Sequence, residues 1–419
     1  MRTRIAVLAA SVWVRALCGA TGSVDAAAVS AQPALDYEIA LEVPYKGYAS
    51  DFCFVHPRAG IVPRGPDRSP VVVMTMQKLW LKGSDVFFSI NELRTDNLGR
   101  TWRGPYEHAT LGRRSEPDGV LATPADFWPK WHAKSGKLLG IGVNARYAND
   151  AQIPTAPRET TDAVSDPEKR TWTPWRSLVV PAEDRFYHGG AGSAQRVDLP
   201  NGDILLPVYT KGRSKDDDSA IVLRCQFDGT TLSLVEVGGE LAFKGGRGFG
   251  ESSLTRFRGR YYLTLRNDQA GFVAVSDDGM HFGPPQLWQW DDGGELGSYN
   301  TQPHWVTHQA GLFLTYTRKG ANHDHIPRNR APLFIARVDP ERLTVRRATE
   351  RILIPERGTP LGNFGVTEVS PDETWITDAE WMQGLRPQRI IPVDNSRGAD
   401  NSIYVARIVW NTPNDFGAR

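Results

Sequence analysis

No part of this chain carries helical periodicity over any useful length, and that constrains its fold more than any other feature. From about residue 37 it is a succession of short apolar or alternating runs separated by turn residues. Examples are Pro70–Met76, Asp85–Ile90, Lys137–Val143, Asp203–Tyr209, Ala220–Cys225, Arg260–Leu265, Phe272–Ser276, Leu312–Tyr316 and Leu333–Arg337. Each is four to seven residues long, rich in β-branched and aromatic side chains, and bounded by Gly, Asp, Asn or Pro. Side chains of this kind suit a pleated, half-buried surface, and the bounding residues suit turns. Strands at this density with no helices between them leave a sandwich, a barrel or a propeller. The 40 Gly and 29 Pro are spread along the chain, so they read as many turns and not as one flexible tract. With 419 residues and 40% hydrophobic content, the chain can build a sizeable core. No transition in composition marks a boundary, so residues 37–415 read as a single domain.

A recurring turn narrows the choice. Thr95-Asp96-Asn97-Leu98-Gly99-Arg100-Thr101-Trp102 follows one strand, and Ser276-Asp277-Asp278-Gly279-Met280-His281-Phe282 follows another. Ser165–Trp172 is a degraded third copy, and Ser370–Trp375 is read as a fourth. In such a turn the Asp or Asn side chain bonds to nearby backbone N–H groups, the Gly takes a backbone angle other residues resist, and the aromatic folds back into the sheet. The pattern resembles the Asp box that recurs in propellers of the sialidase superfamily, where it is structural. The resemblance implies an all-β, six-bladed β-propeller of the sialidase type, with seven blades as the alternative. It also implies a glycoside hydrolase similar to the exo-alpha-sialidases, cleaving a terminal acidic sugar from a glycan.

The resemblance extends to residues that could carry chemistry. Arg58-Ala59-Gly60-Ile61-Val62-Pro63 is a loose version of the family's first arginine segment. Glu251 leads into a strand ending at Arg266, ahead of the turn at Ser276, in the family's order. Tyr299 resembles the family's nucleophile by local context, and Arg318 is taken as the third arginine, with Arg328 and Arg330 competing. Tyr299 precedes Arg318, which reverses the family order. The implied chemistry is three arginines on a sugar carboxylate, a tyrosine nucleophile made basic by a glutamate, and an aspartic acid as general acid. Gln77 stands where that acid would be sought first, and Asp85 is the candidate taken in its place.

Other polar residues lie in aromatic and glycine-rich settings. His132 closes Trp128-Pro129-Lys130-Trp131-His132, and Tyr187 and His188 precede a glycine-rich stretch leading to Arg196. His132, Tyr187, His188 and Arg196 would equally supply a polysaccharide lyase or a rhamnosidase-like propeller acting on uronate-bearing glycans. A non-catalytic carbohydrate-binding propeller is the third reading, since fold does not fix function. His323-Asp324-His325 has metal-ligand residue types, but no partner spacing supports a catalytic metal, and no cofactor is expected.

Net charge is +1 with no basic block, which argues against nucleic acid as a partner. No later stretch reaches the length of a membrane span. A monomer is expected. Residues 1–31 read as an export signal: Arg2 and Arg4, then the apolar run Ile5–Val14, then small residues to Val29-Ser30-Ala31, with Arg15 as an interruption. That points to a secreted or periplasmic protein. The two remaining cysteines, Cys53 and Cys225, could form a disulfide or be two buried thiols.

Overall fold

The computed structural model describes residues 35–415 except 66–67, 118, 387–388 and 394, so the export-signal reading lies outside the described residues. The strand expectation holds. Among the described residues, helical content is limited to four single 3-10 turns, and the strands form six antiparallel-centred sheets of four or more strands, plus the small hairpin Gln383–Arg386/Arg389–Pro392.

The sheets follow one another along the chain. In the first, Phe52–Val62 is followed by Val71–Trp80, Phe87–Thr95 and Arg103–Glu107. The second is built on Leu121–His132, Lys137–Ala148 and Thr160–Asp166, and the third on His188–Gly190, Ile204–Lys211, Ser219–Phe227 and Leu232–Val237. The fourth runs from Ser252–Phe257 to Gln286–Leu287, and the fifth is built on His304–His308, Gly311–Tyr316 and Leu333–Asp339. The sixth joins the chain's two ends: Gly365–Ser370, Glu373–Ala379 and Ser402–Trp410 are completed by Tyr37–Lys46, paired antiparallel to Ser402–Trp410. An early strand that completes a late sheet closes the array and removes a free edge.

Hydrogen bonds between sheets run in cyclic order. Thr75 donates to the Phe127 carbonyl, Ser193 N–H to Asp126, Leu254 N–H to Gln195, and Ser253 pairs with His304. Thr377 and Thr367 of the sixth sheet return to the carbonyls of Pro57 and Ala59 in the first. The arrangement is a β-propeller. Its core lies between neighbouring sheets, as with Trp288 and Trp305, both fully buried between the fourth and fifth.

The two well-formed turns share one geometry. Gly99 N–H donates to Thr95 Oγ1 and Thr101 N–H to Asn97 Oδ1, both at 3.0 Å. Gly279 N–H donates to Ser276 Oγ at 2.9 Å, and the Met280 and His281 amides donate to Asp278 Oδ1 at 2.8 Å. Gly99 and Gly279 take φ of 81° and 79°, which is the left-handed backbone the turn requires. Both turns link the last two strands of their sheets, as does the simpler turn on Asp166. The fourth reading fails. Ser370–Trp375 lies in the hairpin between the first two strands of its sheet, and Trp375 Nε1 donates to Glu373. Cys53 and Cys225 are free buried thiols in different core clusters.

Candidate functional site

The inner strands of neighbouring sheets are interrupted where they converge. A bulge falls between Val55 and Arg58 in the first sheet and another between Ala125 and Trp128 in the second. His56, Asp85, Asp126, Ser193 and Asn300 all have φ between 49° and 58°. Left-handed non-glycine residues are costly and collect where a fold aims side chains at a ligand. Here they come from successive sheets and point polar groups at one end of the axis.

Asp126 is the hub of one half of this cluster. Its carboxylate lies 3.3 Å from Arg58 Nη2 and 3.5 Å from His56 Nε2, and it accepts a 2.8 Å bond from the Ser193 hydroxyl. Burial opposes its charge, but the charges of His56, Arg58 and Arg158 with the Ser193 hydrogen bond together hold the carboxyl far below its usual range. Arg58 is fully buried, donates to Ser193 at 2.6 Å, and passes close to Gly365, where a Cβ would meet Arg58 Cγ at 2.9 Å. Its Nη1 is buried with no hydrogen-bond partner among the described residues. Burial pushes the His56 pKa down to about 4. The His56 ring packs on Phe87 and on Trp381, with centroids 5.2 and 5.6 Å away. Behind Arg58, burial pushes Asp378 up to about 7, although the Gly362 and Ala379 amides donate to it.

The other half is cationic. Arg266 pairs with Glu251 and donates to Asn300 Oδ1 at 3.0 Å. Arg330 donates to the Asn300 carbonyl through both Nε and Nη2. Burial first, then the charges of Arg266 and Arg328, pull the Arg330 pKa down to about 9, with Glu251 and Asp85 compensating only in part. A guanidinium buried in this way has lost its hydration beside two like charges, and a bound anion would offset both. Arg158 donates to the Tyr209 hydroxyl at 3.3 Å, and burial raises that phenol to about 12. Tyr209 also feels the charges of Glu251 and Asp126. Asp85, half-buried in the loop between Val71–Trp80 and Phe87–Thr95, is felt by His56, Arg158, Arg328 and Arg330.

Arg58, Asp85, Glu251 and Arg266 are thus brought together. Several other sequence candidates are engaged elsewhere. Arg318 is held by both oxygens of Glu350 at 2.7 Å. The Tyr299 hydroxyl bonds Asn329 at 2.8 Å instead of Glu251, under the ammonium of Lys319. His132 lies at the opposite end of its strand, with Nδ1 on Ser135 and Nε2 on the Gly202 carbonyl. Arg196 is spent on Asp198 and the carbonyls of Leu139 and Lys130. Gln77 donates to the carbonyls of Phe88 and Pro124, fixing backbone. Tyr187 bonds the Thr155 carbonyl and lies under Arg213. His188 bonds the Ala156 carbonyl, and burial with Arg158 pushes its pKa down to about 4. His323 bonds the Arg318 carbonyl and His325 pairs with Glu356, and no cluster of metal-binding side chains occurs among the described residues.

His56, Asp126, Arg158 and Tyr209 were not singled out from sequence. One signal was available for Asp126: it is a lone acid inside the otherwise apolar run Leu121–Trp128.

No family model and no curated protein matches the chain. Solved structures do. A protein of unknown function from Dyadobacter fermentans superposes with a TM-score of 0.58 at 14% identity, covering 90% of this chain and 99% of that one. Hadza microbial sialidase Hz136 gives 0.57 at 12%, covering 85% of this chain and 65% of that one. The NanB sialidase of Streptococcus pneumoniae gives 0.58 at 11%, covering 87% and 70%. The chain therefore has the sialidase-like propeller fold.

Proposed function

We infer that the chain is a glycosidase that hydrolyses a glycoside of a carboxylate-bearing sugar, in the manner of the sialidases its fold resembles. Each of the six large sheets is taken as one blade, and the polar-glycine-aromatic turns as Asp boxes holding the blades' outer strands. The observation that carries the reading is the under-compensated arginine group around Asn300, facing the Arg58–Asp126 pair across the same end of the axis. A carboxylate bound there gains charge-assisted, bidentate bonds and relieves the repulsion among Arg266, Arg328 and Arg330.

Asp85 is assigned as general acid, at the loop edge where a leaving group would exit. Tyr209, beside Arg158 and within the field of Glu251, is assigned as nucleophile in place of Tyr299. A neutral phenol approaches an anionic sugar without the repulsion a carboxylate would meet, and Arg158 stabilises the phenolate as it forms. Its high pKa means that attack must be coupled to loss of the phenol proton, for which Glu251 is assigned as acceptor, while the glycosidic bond breaks with Asp85 protonating its oxygen and water then releases the sugar from Tyr209. Residues 1–31, read as an export signal, place the reaction outside the cytoplasm. Among the described residues no helix is long and apolar enough to cross a membrane.

One observation favours elimination as a second reading: His188, its Nδ1 on the Ala156 carbonyl, is bridged through the backbone to Arg158, and burial with that guanidinium favours the neutral imidazole a lyase base needs. Incubation with fluorogenic glycosides of keto-acid and uronic sugars, with products read by NMR and ultraviolet absorbance, separates the two. Release of a saturated sugar supports hydrolysis. An absorbing unsaturated uronate supports elimination, and no turnover of any acidic glycoside contradicts both.

A further inference from the structure

The end of the propeller away from the arginine mouth carries a second cationic feature. Residues 62–71 link the first two strands of the first sheet, 95–103 link its last two, and 166–171 make the corresponding link in the second sheet. Antiparallel pairing sends all three turns to the end opposite the Asp85 loop. Between them lies a cavity of about 550 Å³ walled by Arg64, Arg68, Arg94, Arg103 and Arg170. A neighbouring hollow of about 290 Å³ shares Arg64, Arg68 and Asp96 as walls and adds Arg100, so the two form a continuous groove.

The groove's charge is poorly balanced. Arg94 forms a fixed base, bonded to Glu92 at 2.7 Å and to the Pro167 carbonyl at 2.9 Å. Arg64 lies 3.8 Å from Asp96. Arg68, Arg103 and Arg170 are exposed and make no ion pair among the described residues. Among the described residues, six arginines line the groove with two acids, Asp96 and Glu168, while Glu92 lies buried beneath Arg94, in a chain whose whole formal charge is +1. Val62 and Pro167 supply apolar wall, and among the described residues no aromatic ring lines the groove on which a nucleobase could stack.

We propose that this groove binds an anionic polysaccharide, with carboxylate or sulfate groups on the arginines and sugar C–H faces on Val62 and Pro167. It is a second site, separate from the mouth and independent of the hydrolysis proposed there. Like-signed side chains gathered in a concave, partly apolar setting raise the local concentration of a counter-charged chain.

The test is a salt titration of binding to fluorescently labelled heparin, polygalacturonate, neutral dextran and single-stranded DNA. The proteins compared are the wild type, the triple variant Arg68→Ala/Arg103→Ala/Arg170→Ala, and Arg330→Met as a control for binding at the mouth. The three alanine positions are exposed, and an unchanged thermal midpoint confirms folding. The expected result is binding of heparin or polygalacturonate but not dextran, weakened about tenfold and made less salt-sensitive in the triple variant, and retained in Arg330→Met. Preference between the two probes tells sulfate from carboxylate. Failure of the wild type to bind either glycan overturns the proposal, as does equal binding by the triple variant or DNA binding that matches the glycans in strength and in its loss.

Discussion

The two ends of the inner-strand array hold the same residue types in opposite states. At one end, His132 has both ring nitrogens bonded, and Arg196 bonds through all three guanidinium nitrogens to Asp198 and two carbonyls. At the other, Arg58 keeps a buried Nη1 with no hydrogen-bond partner among the described residues, and Arg330 is buried beside Arg266 and Arg328. Arginine and histidine near aromatic residues are therefore no guide to a site by themselves. What separates Arg58 and Arg330 from His132 and Arg196 is hydrogen-bonding capacity and charge that the fold leaves unsatisfied on a buried side chain, a condition that costs stability unless a ligand meets it.

That contrast can be broken by substitution. The largest effect is expected at Asp85: Asp85→Asn should lower kcat by about 10²- to 10⁴-fold, and less on substrates with activated aryl leaving groups, which need little protonation. Equal loss on all leaving groups would remove Asp85 from the acid role. At the saturated end the loss should fall on folding instead. Arg196→Met removes the hydrogen-bonded guanidinium from half-buried Asp198 and from the Leu139 and Lys130 carbonyls, and should cost about 2 kcal/mol of stability, with kcat/KM of the folded enzyme unchanged. Denaturant unfolding alongside kinetics checks both halves.

The strands and turns were legible because each blade repeats the same local demands: β-branched runs of fixed length, and a turn whose Gly and Asp have a conformational and a bonding reason to be there. Glu251 and Arg266 were legible for a similar reason, since they bracket a single strand pair. The rest depended on which strands meet at the axis, and one sequence holds no direct record of that. Arg318 and Arg330 lie twelve residues apart and look alike on paper. Only the packing shows that Glu350 captures the first and leaves the second facing Arg266. Asp126 and His56 reach the mouth through bulges, and a bulge reverses which face an alternating pattern presents.

A smaller effect tests the buried histidine. Burial holds His56 near a pKa of about 4, below the ordinary histidine value, so between pH 6.5 and 4 the unfolded chain takes up a proton that the folded chain refuses. Stability from this group is present at neutral pH and is lost as pH falls, by on the order of 3 kcal/mol. Asp378, raised to about 7, works in the opposite sense across much of the same range, favouring the fold at low pH. The informative quantity is therefore the difference between wild type and His56→Asn: the wild type should lose more stability on acidification. Parallel pH profiles would show that His56 is not the titrating group. The smallest expected effect is that of a reductant, which should leave the thermal midpoint unchanged because Cys53 and Cys225 are free. A drop would reveal a disulfide.

Calorimetric titration of a free carboxylate-bearing sugar into wild type, Arg330→Met and Arg196→Met tests the central claim most directly. The expected result is binding by wild type and Arg196→Met, at least a tenfold loss in Arg330→Met, and greater stability of ligand-free Arg330→Met once the repelling charge is gone. Equal affinity in all three proteins, or a ligand-free Arg330→Met less stable than wild type, would contradict the claim that the mouth is held open for an anion.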